Sequence, residues 1–83
     1  MYTKHAKARM KQRGFTPFVI DVYLAYAKEE HDGHGGIRYD FDRRTRKAVR
    51  KEMGRLVYKD FKHFLNGFVV ECEGQIVTVG WRH

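Results

Sequence analysis

The sequence predicts an α+β domain in which N-terminal helices pack on one face of a small antiparallel sheet. Two observations support this prediction: helical spacing of apolar residues before Gly14 and in the run after it, and strand-like alternation on both sides of a tight turn at Glu73-Gly74. The 83 residues contain no segment of distinct composition and have room for one hydrophobic core. We therefore expect residues 1–83 to form a single domain.

Two helices are predicted at the N-terminus. Residues 4–13 place Ala6 and Met10 one turn apart, and Gly14 is a residue type that commonly ends a helix. A second helix is predicted over residues 17–30, where Thr16 would cap a first turn that contains a proline. This second run is apolar nearly all round, so we expect it to be the most buried helix.

The middle of the chain begins with a loop. Residues 31–36 are rich in turn formers and predict a mobile connection, and the alternation of apolar and charged residues over 37–42 predicts a strand. Residues 43–53 form a very basic stretch of good helix formers that Gly54 interrupts. Residues 55–65 are expected to be helical, with a strand over 56–60 as the alternative.

The chain ends in a predicted hairpin. An Asn66-Gly67 turn precedes strands over 68–73 and 75–82, which the Glu73-Gly74 turn connects. In the second strand, Val77, Val79 and Trp81 are expected on one side, and Thr78, Gly80 and Arg82 on the other. Trp81 could stack on a nucleic-acid base, but this alternation favours a place in the core. Arg38 and Glu71 lie on the polar sides of their own strands, so a shared polar face would be open and charged.

The composition suggests a polyanionic partner. The formal net charge of +7 and the pI of about 9.8 favour nucleic acid, although a basic surface can also simply keep a small protein soluble. The single cysteine, Cys72, excludes an internal disulfide and fits a reducing cytoplasm. No run approaches the roughly 20 apolar residues of a membrane span, so we expect a cytoplasmic protein without a membrane partner.

One face of the first helix carries the most suggestive side chains. His5 and Arg9 are four residues apart, and Gln12 or Arg13 is one further turn on. Imidazole can transfer a proton near neutral pH, and guanidinium groups stabilise charge that develops on phosphate. This set therefore suits phosphodiester cleavage. The alternative is a solvated basic helix on which the histidine is incidental.

Other candidates are weaker. His31 and His34 could be imagined as metal ligands with Asp32, but a zinc site needs three or four rigid ligands, so we expect no metal site. His63 lies near Lys59 in a basic segment, where it would contact phosphate or simply be exposed. The six cations within 43–51 form either a backbone-binding patch or a solvated face, and Glu71 is either a general base or an ion-pair partner of Arg38 or Arg82.

The run His5-Ala6-Lys7-Ala8-Arg9-Met10-Lys11-Gln12-Arg13-Gly14 resembles the opening motif, His-Ala-x-x-Arg-Met-x-x-Arg-Gly, of a family of small bacterial domains. The resemblance continues through Tyr39-Asp40-Phe41, the Asn66 turn and the closing strand Ile76–Arg82, and so covers nearly the whole chain. That family is similar to the RelE/ParE toxins and to compact ribonucleases. The resemblance implies action on RNA and inhibition by an antitoxin encoded alongside.

The resemblance also implies site residues. His5, Arg9 and Arg13 match the opening motif, and Arg82 matches the basic position that ends the last strand. Family members often have His-Arg near that end, whereas this chain has Trp81-Arg82-His83. This departure makes a mechanism with two histidines less secure than one with a single histidine, and it leaves open whether His83 replaces the missing histidine.

The leading hypothesis is a type II toxin that acts as a metal-independent endoribonuclease without a cofactor. In this hypothesis His5 is the base or acid, Arg9 and Arg82 stabilise the transition state, and His83 is a further catalytic candidate. The expected substrate-binding residues are Arg13, Arg38, Lys59 and His63. The expected partners are RNA and an acidic antitoxin, with DNA as the other nucleic acid. The alternatives are a non-catalytic nucleic-acid-binding module and a DNA-nicking or gyrase-targeting toxin.

Overall fold

The computed structural model describes residues 1–82 and confirms the predicted α+β class. Its elements are α1 (Lys4–Arg13), α2 (Pro17–Tyr26), β1 (Lys28–His31), β2 (Gly36–Asp40), α3 (Arg43–Met53), α4 (Arg55–Phe61), a 3₁₀ helix (Lys62–Asn66), β3 (Gly67–Cys72) and β4 (Gln75–Trp81). The strands form one antiparallel sheet in the order β1-β2-β3-β4. Within residues 1–82, no helix is long and apolar enough to cross a membrane.

The helices and one face of the sheet share a single core. Ile20 from α2 and Val49 from α3 are fully buried in the same cluster as Val69 from β3 and Val79 from β4. Burial of apolar surface at about 25 cal/mol per Å² is the main force that holds these layers together. On the opposite face of the sheet the Arg38 side chain is exposed, and we call this side the open face.

Side-chain caps fix the helix starts as the sequence indicates. The Thr16 hydroxyl accepts a hydrogen bond from the Val19 N–H at 3.3 Å, and Pro17 occupies the first turn of α2. Asp42 and Thr45 form a reciprocal capping box at the start of α3, and these hydrogen bonds lower the pKa of the Asp42 carboxyl. Caps of this kind satisfy backbone N–H groups that have no partner within the helix.

The prediction that the second helix extends to residue 30 is wrong, because α2 ends at Tyr26 and residues 28–31 form the edge strand β1. These four residues are exposed and offer no apolar face that a longer helix could bury. The loop after them is a hairpin turn rather than a loose connection. The Asp32 carboxylate accepts hydrogen bonds from the N–H groups of His34 and Gly36, which lowers the pKa of Asp32.

The prediction of helix over residues 55–65 is confirmed as α4 and the 3₁₀ helix, and the alternative strand over 56–60 is wrong. In the last strand the predicted alternation fails at Val77. The register shifts there because Val70 faces Thr78 while Glu71 faces Ile76. This β-bulge turns both Ile76 and Val79 toward the core.

Candidate active site

A cleft of about 600 Å³ lies between α1 and the open face of the sheet. We call it the arginine cleft, and its lining consists of the following residues: His5, Arg9, Arg13, Arg38, Phe68, Thr78, Val79, Gly80, Trp81 and Arg82. Its volume is within the range of small-molecule sites, roughly 300 to 1,000 Å³. Five of the predicted site residues therefore meet at one place, although the chain supplies them from both of its ends and from β2.

The N-terminal residues hold α1 against β4. The Thr3 N–H donates to the Ile76 carbonyl at 3.0 Å, and the Ile76 N–H donates to the Met1 carbonyl at 2.7 Å. The Thr3 hydroxyl also caps α1 by accepting from the Ala6 N–H. As a result His5, in the first turn of α1, lies beside β4, with its Nε2 3.4 Å from the Thr78 hydroxyl oxygen.

Arg9 and Arg13 follow His5 along the same helix face. The Arg9 Nη1 donates to the Gln12 Oε1 at 2.9 Å, so Gln12 fixes one edge of this guanidinium. Arg13 differs, because its Nη1 is buried and has no hydrogen-bond partner among residues 1–82. An unpaired buried donor costs about 1–3 kcal/mol, and more when the group is charged.

Asp40 holds the two arginines that come from the sheet. Its Oδ2 is 3.3 Å from the Arg38 Nε and 3.9 Å from the Arg82 Nη1. The end of β4 is fixed as well, because the Arg82 N–H donates to the Asn66 carbonyl at 2.7 Å. The Asp40 side chain is only 12% exposed, so this small network is better shielded from solvent than a surface ion pair.

The floor of the cleft contains an aromatic stack. The guanidinium carbon of Arg38 lies 4.3 Å from the centre of the Phe68 ring, a cation–π distance. Phe68 in turn rests on Gly80, where an added Cβ would come within 2.8 Å of two ring carbons. Glycine at position 80 thus lets the ring lie flat under Arg38.

The arginine cleft is strongly electropositive. Its four arginines face one carboxylate, Asp40, which leaves a local charge of +3 when His5 is neutral. Positive charge concentrated in a concave surface attracts polyanions and raises their local concentration. A phosphodiester fits this site, because arginine side chains bind phosphate oxygens with paired hydrogen bonds.

Two of the predicted substrate-binding residues do not line the cleft. Lys59 borders a different hollow beside α4, and His63 in the 3₁₀ helix packs its ring on Phe64 with centroids 4.0 Å apart. Both stay predictions as phosphate contacts. The catalytic candidate His83 lies outside the described residues.

The expectation that Glu71 shares an open polar face with Arg38 is wrong. Glu71 faces Ile37 across the sheet, so it lies on the helix-covered side, whereas Arg38 faces Val70 on the open side. The Glu71 carboxylate instead accepts a hydrogen bond from the Tyr39 hydroxyl at 3.1 Å. Burial, together with this hydrogen bond, raises the pKa of Tyr39 to about 12.

Sequence patterns alone missed Asp40, Phe68, Thr78 and Gly80. Asp40 and Phe68 face each other across β2 and β3, a pairing that only the sheet register reveals. Within residues 1–82, no group of three His, Cys, Asp or Glu side chains could hold a metal ion.

Comparison with family models, with curated proteins and with solved structures finds no match to this chain. The likeness of the opening motif to the toxin-like family therefore stays a prediction.

Proposed function

We propose that this domain is a cytoplasmic toxin that cleaves single-stranded RNA in the arginine cleft and that an acidic antitoxin inhibits it. The observation that carries the proposal is the meeting of His5 with Arg9, Arg13, Arg38 and Arg82 around one concave surface. A proton-transfer group and several guanidinium groups are the set of side chains that RNA cleavage without a metal ion requires.

The proposed reaction begins with His5 in its neutral form. Its imidazole takes the proton of a ribose 2′-hydroxyl, and the 2′-oxygen attacks the adjacent phosphorus. The bond from phosphorus to the 5′-oxygen breaks, and the departing oxygen takes the proton of the imidazolium, either directly or through a bridging water. The products are a 2′,3′-cyclic phosphate and a 5′-hydroxyl end, and the imidazole returns to its neutral form.

The arginines stabilise the charge that develops during this reaction. Arg9 lines the cleft from α1, and Arg82 lines it from the position after β4, so both could contact one phosphate. Arg13 lines the same cleft and adds a further guanidinium charge. Donors already in place stabilise a transition state without further reorganisation.

Single-stranded RNA is the substrate that this chemistry selects. The proposed nucleophile is a 2′-hydroxyl, which DNA lacks. A splayed single strand can also place a base on a guanidinium plane, and the exposed Arg38 guanidinium lies over the Phe68 ring in the cleft. The six cations of α3 within 43–51 would hold the backbone further along the strand.

The cleavage test compares His5→Ala with the wild-type protein on single-stranded RNA in EDTA. We expect wild type to cleave and the variant to be at least ~10²-fold slower, the usual contribution of a positioned acid or base. His5 is exposed, so the variant should stay folded. His34→Ala is the matched control, because His34 is exposed in the hairpin turn and bonds Asp32 only through its backbone.

A contrary result would either exclude the proposed mechanism or indicate another function. Full activity of His5→Ala would remove His5 from the mechanism, and a strict need for divalent metal would remove the mechanism itself. RNA that shifts on a gel and keeps its length would show a non-catalytic binding module. Nicked plasmid DNA with intact RNA would show a DNA-directed toxin.

The toxin assignment needs a test of its own. The +3 charge of the arginine cleft suits carboxylates, which mimic the phosphate that it binds. We expect expression of the chain alone to slow bacterial growth and co-expression of an adjacent acidic reading frame to restore it. Unaffected growth without any co-purifying partner would refute the toxin assignment even if RNA cleavage were observed.

A further inference from the structure

A second surface, which shares no lining residue with the arginine cleft, exposes large apolar side chains. Phe18 at the start of α2 is 55% exposed, and Leu56 and Val57 on α4 are 81% and 46% exposed. They line a groove of about 410 Å³ whose base is formed by the buried Phe61. We call it the apolar groove. Contiguous exposed apolar surface of this kind marks an interaction site in a folded protein.

Cations lie directly beside this groove. Leu56 also borders a hollow of about 660 Å³ that Arg50, Arg55, Lys59 and Lys62 line, which we call the basic hollow. Among the described residues that line the apolar groove, Asp60 is the one acidic residue. A ligand that covers both surfaces must therefore present an apolar stripe with negative charge along one side.

We propose that the apolar groove and the basic hollow together bind one acidic amphipathic helix of a partner polypeptide. Its apolar stripe, spaced i, i+3, i+4 and i+7, would pack on Phe18, Leu56 and Val57. Its carboxylates would meet the four cations of the basic hollow. Neither the apolar groove nor the basic hollow shares a lining residue with the arginine cleft, although Arg50 also belongs to the α3 cations proposed to hold the RNA backbone.

The side chains favour a polypeptide over a nucleic acid. Phe18 offers a ring on which a base could stack, but Leu56 and Val57 do not, and the burial of these two side chains is rewarded only by other apolar groups. The surface is also concave, which suits an inserted helix better than a flat lipid surface. The cations lie on one side of the apolar strip, so they would fix the orientation of the helix as well as attract it.

The test uses a designed peptide of about 18 residues, roughly five helical turns, with a leucine stripe and glutamates on its other faces. One control peptide has the same composition without the stripe, and another has lysine in place of glutamate. Fluorescence anisotropy should show binding of the first peptide alone. Equal affinity of the three peptides, or no binding of the first, would overturn the proposal.

Protein variants locate the site. Leu56→Asp and Lys62→Glu should each weaken peptide binding at least ~10-fold, while Leu56→Met should restore nearly full affinity. Lys28→Glu in the edge strand is the charge-matched control and should bind normally. All three positions are exposed, so urea unfolding of each of the four variants should match wild type closely. RNA cleavage by Leu56→Asp should also be unchanged.

Three further results would overturn the proposal in favour of another occupant. Wild type that is dimeric by light scattering and monomeric as Leu56→Asp would assign the groove to a second copy of the chain. If wild type sediments with phosphatidylserine vesicles and Leu56→Asp does not, the groove would be assigned to a membrane surface. Loss of RNA binding without loss of peptide binding would assign it to nucleic acid.

Discussion

Tyr23 connects the core to the strands that carry the cleft, so Tyr23→Phe tests how the site is supported. The side chain is fully buried, and its hydroxyl donates to the Phe64 carbonyl and accepts from the Gly67 N–H. Gly67 begins β3 and pairs with Trp81 at the end of β4. Replacement by phenylalanine removes the oxygen and keeps the ring.

The expected loss of stability depends on the hydrogen bonds that the Phe64 carbonyl and the Gly67 N–H keep in the variant. The Gly67 N–H also donates to the Phe64 carbonyl, so neither group is left without a partner in the variant. The loss is therefore that of two hydrogen bonds, about 0.5–1.5 kcal/mol each, rather than the larger cost of orphaned groups. We expect Tyr23→Phe to lower the free energy of unfolding by about 1–3 kcal/mol. For 83 residues at roughly 0.05–0.15 kcal/mol each, the total is about 4–12 kcal/mol.

Alkaline pH gives a second readout of the same residue. Burial raises the pKa of the Tyr23 hydroxyl above its ordinary value near 10, because the phenolate would be desolvated. Above pH 10 the unfolded chain releases this proton and the folded chain keeps it. The stability from Tyr23 is thus complete below pH 10 and declines above it, by up to about 1.4 kcal/mol per pH unit. Tyr23→Phe should remove that share of the decline.

Urea unfolding followed by circular dichroism at pH 7 and at several values above pH 10 measures both effects. Tyr26→Phe is the matched control, since Tyr26 is on the same helix and partly exposed, and it should cost less than about 0.5 kcal/mol. A Tyr23→Phe protein as stable as the control would refute the hydrogen-bonding argument. An unchanged decline above pH 10 would refute the argument from burial.

Two predictions concern the cleft. Arg82→Gln should reduce the slope of log binding constant against log salt for single-stranded RNA by about 0.7, the share of one phosphate contact, and an unchanged slope would place Arg82 off the backbone. Gly80→Ala should lower the free energy of unfolding by about 1–3 kcal/mol, because the new methyl meets the Phe68 ring at 2.8 Å. Urea unfolding measures that loss, and a Phe68→Leu background that failed to reduce it would contradict the proposed clash.

Local signals predicted most of the elements because their causes are local. The glycine after α1, the threonine cap of α2 and the basic run of α3 each act within a turn or two of the chain. Strand β1 was missed for the opposite reason. Lys28–His31 has no apolar alternation, and it becomes a strand only because β2 offers hydrogen-bonding partners.

The cleft was partly predictable for a related reason. The helical spacing of His5, Arg9 and Arg13 places these side chains on one face wherever the helix lies. The strand that lies beside these side chains is determined by the backbone hydrogen bonds of Met1 and Thr3 with Ile76, and no local pattern encodes those contacts. The bulge beside Val70 in the β3–β4 pairing is equally invisible in the sequence. So is the β2–β3 register, which places Arg38 opposite Val70 and Glu71 opposite Ile37, on the other face of the sheet.

The two proposed surfaces meet through one aromatic contact. Phe64 lines the apolar groove and stacks on Trp81, which lines the arginine cleft, with ring centroids 5.8 Å apart. Contact alone does not couple two sites, because coupling requires a ligand that prefers one of two arrangements. Phe64 also packs against Phe15 and Phe61, and such close packing leaves it little freedom to move. A helix bound in the groove would therefore leave the cleft open, and a partner that blocks cleavage must place its own carboxylates on the arginines.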